Sequence, residues 1–200
     1  SEMCIRDSYT TLLIATGAAA RPYNQRILDE YNNFFYFYTL ADAQKINSFI
    51  AASNVQRVLV IGAGISGIEC ADALTTRGLY VTIIEQSPTI LSKKISDYTS
   101  SLVMNTIQQS GVQLRTSCII EDINYRNNTI SSVRLSSGEL IEIDMIIATI
   151  GAERTNNLAR NAEIMCTNNG ITVNDYLETS VPTIYAAGDC IAVKDRLTAN

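Results

Sequence analysis

The chain has 200 residues, of which 20 are acidic and 15 are basic, and its formal net charge is −5. This balance, without any cluster of Lys or Arg, argues against a protein that binds the phosphate backbone of nucleic acids. The sequence contains no His, which excludes a histidine base, a histidine metal ligand and a Cys–His nucleophile pair within these residues.

The cysteines are Cys4, Cys70, Cys118, Cys166 and Cys190. They form no C-x-x-C pair, and their spacing fits neither a zinc site nor a disulfide framework. We therefore expect small buried apolar side chains at these positions, with no metal site and no catalytic side chain in this segment. No apolar run approaches the length of a bilayer span and no secretory signal is visible, so we expect a cytoplasmic protein without a membrane partner.

The N-terminal residues 1–8 match the translation of a transposon adapter used in sequencing libraries. We expect them to be read-through rather than natural protein, and we exclude them from the fold prediction. On this interpretation Cys4 is not a natural residue, and the natural gene begins upstream.

The first predicted element is a short buried strand that begins at Tyr9 and is stopped by Gly17. The aromatic run at 34–38 predicts an edge strand that covers the core, rather than a platform on which a base stacks. A capping-box pattern at Thr39 predicts a helix that runs to about Ala51.

The next elements form a strand, a glycine turn and a helix. A buried strand begins near Arg57 and leads into the sequence Gly-Ala-Gly-Ile-Ser-Gly at 62–67. The helix that follows is predicted to end at about Arg77. A second strand, 81–84, ends at Glu85, about twenty positions after the turn.

This arrangement is the dinucleotide-binding fingerprint, in which each glycine has its own role. Gly62 permits the tight turn, Gly64 lets the backbone approach a pyrophosphate, and Gly67 lets the helix pack close to the strand. The helix N-terminus offers unpaired N–H groups and a partial positive charge to the phosphates. The predicted nucleotide contacts of this segment are Gly62, Ala63, Gly64, Ile65, Ser66, Gly67 and Glu85.

Glu85 also predicts which nicotinamide cofactor is used. Its carboxylate can accept hydrogen bonds from the hydroxyls of the adenosine ribose, and it would repel a 2′-phosphate. The sequence therefore favours NADH, and NADP(H) is the less favoured cofactor.

A further helix is predicted at 97–110, with Leu102, Val103 and Ile107 facing the core. It is followed by a strand at 112–114 that resumes the parallel sheet. The pattern then changes to short strands separated by hairpin signals, which predicts an antiparallel meander inserted in an otherwise βαβ chain. The meander strands are placed at 118–123, 129–135 and 139–143.

Two more strands complete the pattern. A buried strand at 145–150 ends at Gly151, and a short strand within 179–189 runs into Gly188 and Asp189. Taken alone, this last cluster reads as a β-turn after an edge strand, with Asp189 capping a helix.

Four motifs nevertheless occur in a characteristic order, at 15–17 (Ala-Thr-Gly), 62–67, 147–151 and 179–189. This order resembles the flavin-dependent pyridine-nucleotide oxidoreductases of the glutathione-reductase superfamily. The resemblance implies an α/β fold in which a Rossmann-like NAD(P)-binding domain with an antiparallel β-meander is inserted in a partial FAD-binding domain. It assigns 40–151 to the NAD(P)-binding domain, and it assigns 9–39 and 152–200 to the FAD-binding domain.

The resemblance also implies flavin contacts. Thr16 and Gly17 would lie beside the flavin nucleotide, and Asp189, which follows Gly188, would hydrogen-bond the ribityl chain. On the nicotinamide side, Gly151 would lie near that cofactor. Glu69 matches a carboxylate that the family holds near the contact between nicotinamide and flavin.

The branch of the family is narrowed by two features. Thioredoxin reductases carry a C-x-x-C pair in the nicotinamide domain, and 40–151 has none, which excludes that branch. Ile65 stands where disulfide reductases usually have Tyr or Phe, and it favours rubredoxin reductases and the flavin module of nitrite reductases, with NADH-oxidase-like enzymes left open. A reactive Cys, in branches that have one, would lie upstream.

The function implied is an FAD-dependent NAD(P)H oxidoreductase that transfers a hydride from NADH to FAD and passes the electrons to an unidentified protein or small molecule. The full-length protein is expected to be a homodimer. The family's N-terminal FAD fingerprint and C-terminal interface domain are not found in this sequence. The alternative is therefore a truncated nucleotide-binding module without catalytic activity of its own.

Overall fold

The computed structural model describes residues 8–24, 27–92 and 94–192. These residues form two compact units. The central unit is 20–151, and the outer unit combines the described parts of 1–19 and 152–200. The adapter-like residues 1–7, including Cys4, lie outside the described residues.

The secondary structure alternates short strands with four helices in the described chain. The helices are α1 (Leu40–Ala52), α2 (Ile65–Thr76), α3 (Asp97–Gln109) and α4 (Asn157–Asn161). The strands are β1 (Leu12–Ile14), β2 (Ala18–Ala20), β3 (Phe34–Tyr36), β4 (Arg57–Ile61), β5 (Tyr80–Ile84), β6 (Gln113–Arg115), β7 (Ile120–Arg126), β8 (Thr129–Leu135), β9 (Leu140–Glu142), β10 (Met145–Ala148), β11 (Ala152–Arg154), β12 (Cys166–Thr167), β13 (Gly170–Thr172), β14 (Ile184–Ala186) and β15 (Ile191–Ala192).

A five-stranded parallel sheet lies at the centre of the central unit, in the order β3-β10-β4-β5-β6. The predicted fold class is confirmed by this parallel sheet and its helices. The aromatic strand β3 is at an edge, as predicted for the run at 34–38.

Both faces of this sheet are covered, which explains why its middle strands are largely apolar. Successive side chains of a strand point to opposite faces. In β4, Val58 and Val60 pack with the helices on one face, whereas Leu59 and Ile61 pack with the meander on the other. The residues that cover the helical face include Ile46 of α1, Cys70, Ala71 and Leu74 of α2, and Ile107 of α3.

The capping box predicted at Thr39 is confirmed, and α3 also has a side-chain cap. In α1, the Thr39 hydroxyl accepts the backbone N–H of Asp42 at 3.2 Å, and the Asp42 carboxylate accepts the backbone N–H of Thr39 at 2.8 Å. In α3, the Ser96 hydroxyl accepts the backbone N–H of Thr99. These bonds satisfy N–H groups that have no acceptor inside the helix.

The prediction for Leu102 was wrong. Along α3 the core-facing positions are Ser100, Val103, Met104 and Ile107, which follow the helical spacing of three and four residues. Leu102 lies off this stripe, and 49% of its surface is exposed.

The meander is an antiparallel sheet in the order β7-β8-β9. The buried amide of Asn33 holds it to the parallel sheet. The Asn33 Nδ2 donates to the carbonyl oxygens of Ile130 at 2.8 Å and Asp144 at 2.9 Å, and its Oδ1 accepts the backbone N–H of Ile130 at 2.9 Å. The meander strand predicted at 118–123 starts at Ile120 instead, because 118–119 lie in the connection from β6.

The outer unit contains small sheets. In the pair of parallel strands β1 and β14, Leu12 lies beside Ile184 and Ile14 beside Ala186. The remaining strands form the pair β2 and β11 and the three-stranded sheet β12-β13-β15. The strand predicted from Tyr9 is shorter than expected, and only Ile14 of β1 is buried.

Candidate nucleotide-binding site

A cavity of about 660 Å³ opens at the carboxyl ends of β10, β4 and β5. The described residues that line it all belong to the central unit, and they include Gly62, Gly64, Glu85 and Gly151. Ligands of open parallel sheets bind at this end of the strands. The cavity is therefore the candidate site.

The three glycines of the turn are required for different reasons. Gly62 has a φ of +102°, which side-chain-bearing residues rarely adopt. A Cβ on Gly67 would overlap the carbonyl oxygen of Gly62 and would lie 2.6 Å from the Thr149 Oγ1. A Cβ on Gly64, in contrast, would meet nothing within 4 Å.

Gly64 is the position that indicates a ligand. Its backbone is extended and its surroundings are open, so neither the turn geometry nor the packing of the chain requires a glycine there. It lines the cavity, where a Cβ would occupy space that a bound group can use. This is the fit expected for a pyrophosphate that approaches the main chain closely.

The N-terminus of α2 also differs from those of α1 and α3. It has no side-chain cap, and no acidic residue lies in its first turn. The first backbone N–H groups of a helix have no acceptor within the helix, and they carry a partial positive charge. Ile65 and Ser66, which begin α2, line the cavity, so these donors lie beside it.

The Glu85 carboxylate is held in place by the backbone on both of its oxygens. Oε2 accepts the N–H of Ala63 at 2.9 Å, and Oε1 accepts the N–H of Ser87 at 2.9 Å. A carboxylate has about four acceptor positions, so two remain for a ligand. The position is suited to two ribose hydroxyls, which act as paired donors.

Thr149 links the glycine turn to β10. Its hydroxyl lies 2.9 Å from the carbonyl oxygen of Ile61 and 3.0 Å from that of Gly62, and donates to both. Its backbone N–H donates to Ile61 as well, at 2.9 Å. The motif at 147–151 is visible in the sequence, but this role of Thr149 is not, because the contact joins residues far apart in the chain.

An apolar wall extends the cavity beyond Glu85. It includes Cys118, Ile119, Ile120 and Tyr23. Burial raises the pKa of the Tyr23 hydroxyl, against a lowering by its backbone hydrogen bond with Ile120. Burial likewise raises the pKa of the Cys118 thiol. Both groups are therefore uncharged at neutral pH, and the wall offers apolar surface to a flat ring such as a base.

The residues predicted to contact the nicotinamide nucleotide fall into three groups. Those that line the cavity are Gly62, Gly64, Ile65, Ser66, Glu85 and Gly151. Ala63 and Gly67 are buried behind the turn, where they shape it. Glu69 is exposed on α2 and lines a separate groove of about 290 Å³ between α2 and α3.

The four residues predicted beside a flavin come together in the outer unit. Thr16 and Gly17 follow β1, and Gly188 and Asp189 follow β14, its parallel neighbour. Gly17 and Gly188 have φ values of +65° and +81°. The Thr16 hydroxyl donates to the carbonyl oxygen of Thr155, while Asp189 is exposed.

The part of the chain that the structure describes contains neither a metal-binding cluster nor a membrane-spanning helix. No group of three or more His, Cys, Asp or Glu side chains there is placed to hold a metal ion. No helix there is long and apolar enough to cross a bilayer. Cys70, Cys118 and Cys190 are buried and Cys166 is half-buried, and all four are free thiols.

Comparison with known proteins decides the family. The family model for pyridine nucleotide-disulphide oxidoreductases matches residues 5–199. The chain belongs to this family. The family prediction from the four motifs is thus confirmed.

Named relatives are similar over nearly the whole chain. Rubredoxin-NAD(+) reductase of Pseudomonas putida is 32% identical over 94% of this chain and 48% of its own length. NADH oxidase of Methanocaldococcus jannaschii is 31% identical over 96% of this chain and 42% of its own. The covalent putidaredoxin reductase–putidaredoxin complex is 28% identical, with a TM-score of 0.88 over 96% of this chain and 46% of that chain. The chain thus spans about half the length of the curated relatives that it matches.

Proposed function

We propose that the central unit binds NADH in its cavity, and that the protein containing this chain is an FAD-dependent NADH oxidoreductase. One observation carries the proposal. The open space at Gly64, the uncapped N-terminus of α2 and the Glu85 carboxylate all border the same cavity. Together they match the pyrophosphate and the adenosine ribose of a nicotinamide dinucleotide.

The preference for NADH follows from how Glu85 is held. Its two backbone hydrogen bonds fix the carboxylate, so it cannot easily turn away from a 2′-phosphate. Lys94, which also lines the cavity, is exposed in the loop beyond and offsets only part of this repulsion. The names of the relatives, rubredoxin-NAD(+) reductase and NADH oxidase, agree with this choice.

Flavin binding is proposed for the outer unit. Thr16, Gly17, Gly188 and Asp189 lie at the ends of adjacent parallel strands, which is where such a sheet binds a nucleotide cofactor. In this proposal 40–151 is the NAD(P)-binding domain, Gly151 lies toward the nicotinamide, and 9–39 and 152–200 belong to the FAD-binding domain. Glu69 lines the separate groove between α2 and α3, so it is given no contact inside the nucleotide cavity.

When both cofactors are bound, the flavin supplies the chemistry by accepting a hydride from NADH. The residues of this chain bind and orient the dinucleotide, and the apolar wall of the cavity excludes water. We propose a small redox protein as the acceptor, because the relatives named above include a rubredoxin reductase and a complex with putidaredoxin. We further propose a homodimer, acting in the reducing cytoplasm that its free thiols suit.

Titration calorimetry of the intact chain with NADH and NADPH tests the nucleotide assignment. We expect NADH to bind and NADPH to bind at least ten-fold more weakly, in line with about 1.4 kcal/mol of charge repulsion. Equal affinities would contradict the role of Glu85, and the absence of binding by either cofactor would contradict the proposed function.

A matched pair of variants distinguishes the specific role of the Glu85 carboxylate from the effect of losing one negative charge elsewhere on the protein. Glu85→Gln should weaken NADH binding by about ten-fold and reduce the discrimination against NADPH. Glu121→Gln removes the same charge from an exposed position on β7, and it should bind both nucleotides as the wild type does. Anaerobic titration of the flavin-loaded full-length protein with NADH then tests the reaction itself, by bleaching of the flavin's visible absorbance.

The alternative is a nucleotide-binding module without turnover of its own. The observation that favours it is that the chain spans about half of its relatives' length. The purified chain distinguishes the two. A colourless protein that binds NADH supports the module, whereas a yellow protein that NADH bleaches supports an enzyme.

A further inference from the structure

Arg21 enters the same cavity from a segment that the nucleotide fingerprint does not include. Its backbone N–H donates to the carbonyl oxygen of Gly151 at 3.0 Å, which fixes it at the point where the chain leaves β10. Its side chain is exposed and lines the cavity with Gly64 and Ser66. Arg21 is thus near the glycine turn, although 41 positions separate it from Gly62 in the sequence.

The guanidinium of Arg21 has no counter-ion in the described part of the chain. Within 8–24, 27–92 and 94–192, no hydrogen bond or ion pair joins it to another group, whereas Arg57 and Arg115 are paired with carboxylates. Glu85 is the one carboxylate among the described residues that line the cavity, and two backbone N–H groups already hold it. A cation that is anchored through its backbone, and that has no partner among the described residues, therefore borders the space that a ligand would fill.

The order of the strands places Arg21 relative to Glu85. Glu85 follows β5 and Gly151 follows β10, and β4 with its glycine turn lies between them. Neighbouring strands are about 4.8 Å apart, so about 10 Å separates the two strand ends. A dinucleotide whose adenosine ribose is at Glu85 and whose pyrophosphate is at the N-terminus of α2 continues toward Gly151, where Arg21 is anchored.

We propose that Arg21 binds the phosphate on the nicotinamide side of the dinucleotide. The inference rests on the proposed function and extends it to a residue outside the fingerprint. A guanidinium presents several N–H donors in a planar fork that matches two phosphate oxygens. The N-terminus of α2 carries only a partial positive charge, and the Arg21 guanidinium adds a full one.

The test is titration calorimetry of the intact chain with NADH, ADP-ribose and 5′-AMP. 5′-AMP contains the adenosine-side phosphate alone, whereas NADH and ADP-ribose also contain the second phosphate. Arg21→Ala should weaken NADH and ADP-ribose by about ten-fold and change 5′-AMP by less than about two-fold. Arg21→Lys should recover part of the loss, because it restores the charge without the fork.

Arg134→Ala is the matched control, since it removes one positive charge from an exposed position on β8. It should bind all three ligands as the wild type does. Circular dichroism and thermal melting should show the wild-type fold for both alanine variants, because the Arg21 side chain has no partner in the described chain to lose.

Three distinguishable outcomes would contradict the proposed function, the role of Arg21 or the choice of phosphate. If the wild type binds neither NADH nor ADP-ribose, the proposed function fails. If the wild type binds both and Arg21→Ala binds them equally well, the role of Arg21 fails alone. If Arg21→Ala weakens 5′-AMP as much as ADP-ribose, the assignment to the nicotinamide-side phosphate is wrong.

Discussion

The hydroxyl of Thr149 occupies the space that a side chain on Gly67 would need. A Cβ on Gly67 would lie 2.6 Å from the Thr149 Oγ1, and it would also overlap the carbonyl oxygen of Gly62. Because that hydroxyl already donates to the turn, it has little freedom to move aside. The first helical turn of α2 therefore packs closely against the glycine turn and Thr149, with no room for a side chain at Gly67.

Gly67→Ala should consequently lower the free energy of unfolding by about 1–3 kcal/mol, the cost usual for overpacking a core. The loss is expected even though alanine has the higher helix propensity. Urea denaturation followed by circular dichroism measures it. A variant as stable as the wild type would show that the turn can yield.

Gly64→Ala should have a small effect on stability and a large effect on NADH binding. Its Cβ meets no protein atom within 4 Å, so the stability should fall by about 1 kcal/mol or less, the cost of alanine at a helix N-cap. NADH binding should nevertheless weaken by at least ten-fold, because the methyl group fills the space beside the pyrophosphate. Calorimetry and thermal melting on one preparation provide both values. Unchanged NADH affinity would contradict the placement of the pyrophosphate.

Asn33→Ala should lower the stability by about 2–4 kcal/mol, since it removes the partner of the buried backbone groups of Ile130 and of the half-buried carbonyl of Asp144. The neighbouring Asn32 is exposed, and Asn32→Ala should cost less than about 0.5 kcal/mol. Hydrogen exchange should show faster exchange of the Ile130 amide in the first variant only. Equal stability of the two variants would contradict the role of Asn33 in holding the meander.

The Asp144 carboxylate should make stability depend on pH. Burial raises the pKa of this carboxylate. The Arg57 side chain and the backbone N–H groups of Arg57 and Gln56 lower it by more than burial raises it, so the folded-state pKa lies below the ordinary value of 3.8. A lowered carboxylate pKa stabilises the fold above the unfolded-state pKa, and the contribution is lost as the pH falls through the folded-state pKa.

Asp144→Asn should therefore be less stable than the wild type by about 1–3 kcal/mol at pH 7, and the difference should narrow below about pH 4. Urea denaturation at several pH values measures this. Glu142→Gln provides the control, because Glu142 is 73% exposed and its ion pair with Arg57 should contribute less than about 1 kcal/mol. A difference between Asp144→Asn and the wild type that does not change with pH would be inconsistent with this account.

Cys70 should resist alkylation in the folded protein. Burial raises the pKa of its thiol to about 11, so at pH 8 only about one molecule in a thousand has the reactive thiolate. Iodoacetamide followed by peptide mass mapping should label the half-buried Cys166 well before Cys70. In urea the two should react at similar rates. Equal labelling rates in the native state would show that Cys70 is accessible.

Much of the fold is readable from the sequence because its signals are local. The capping box at Thr39 and the hairpin signals that flank β8 each lie within a few residues, and the structure reproduces the predicted bounds closely. The small elements at 152–173 were not predicted. They are two to five residues long, too short for periodicity to appear, and their pairing with other strands defines them.

The candidate site, like the fold, is only partly readable from the sequence. The glycine turn and Glu85 could be found because a strand, a turn and a helix follow one another directly. Thr149 and Arg21 could not be assigned to the cavity, because their positions depend on contacts across 87 residues in one case and on a single backbone hydrogen bond to Gly151 in the other. Local patterns do not encode which distant strand ends will be neighbours.

The hydroxyl bonds of Thr149 have a mechanical consequence. Two residues beyond Thr149, at Gly151, the chain passes out of the central unit. Any displacement of the glycine turn away from the end of β10 therefore stretches or breaks the hydrogen bonds of this one side chain.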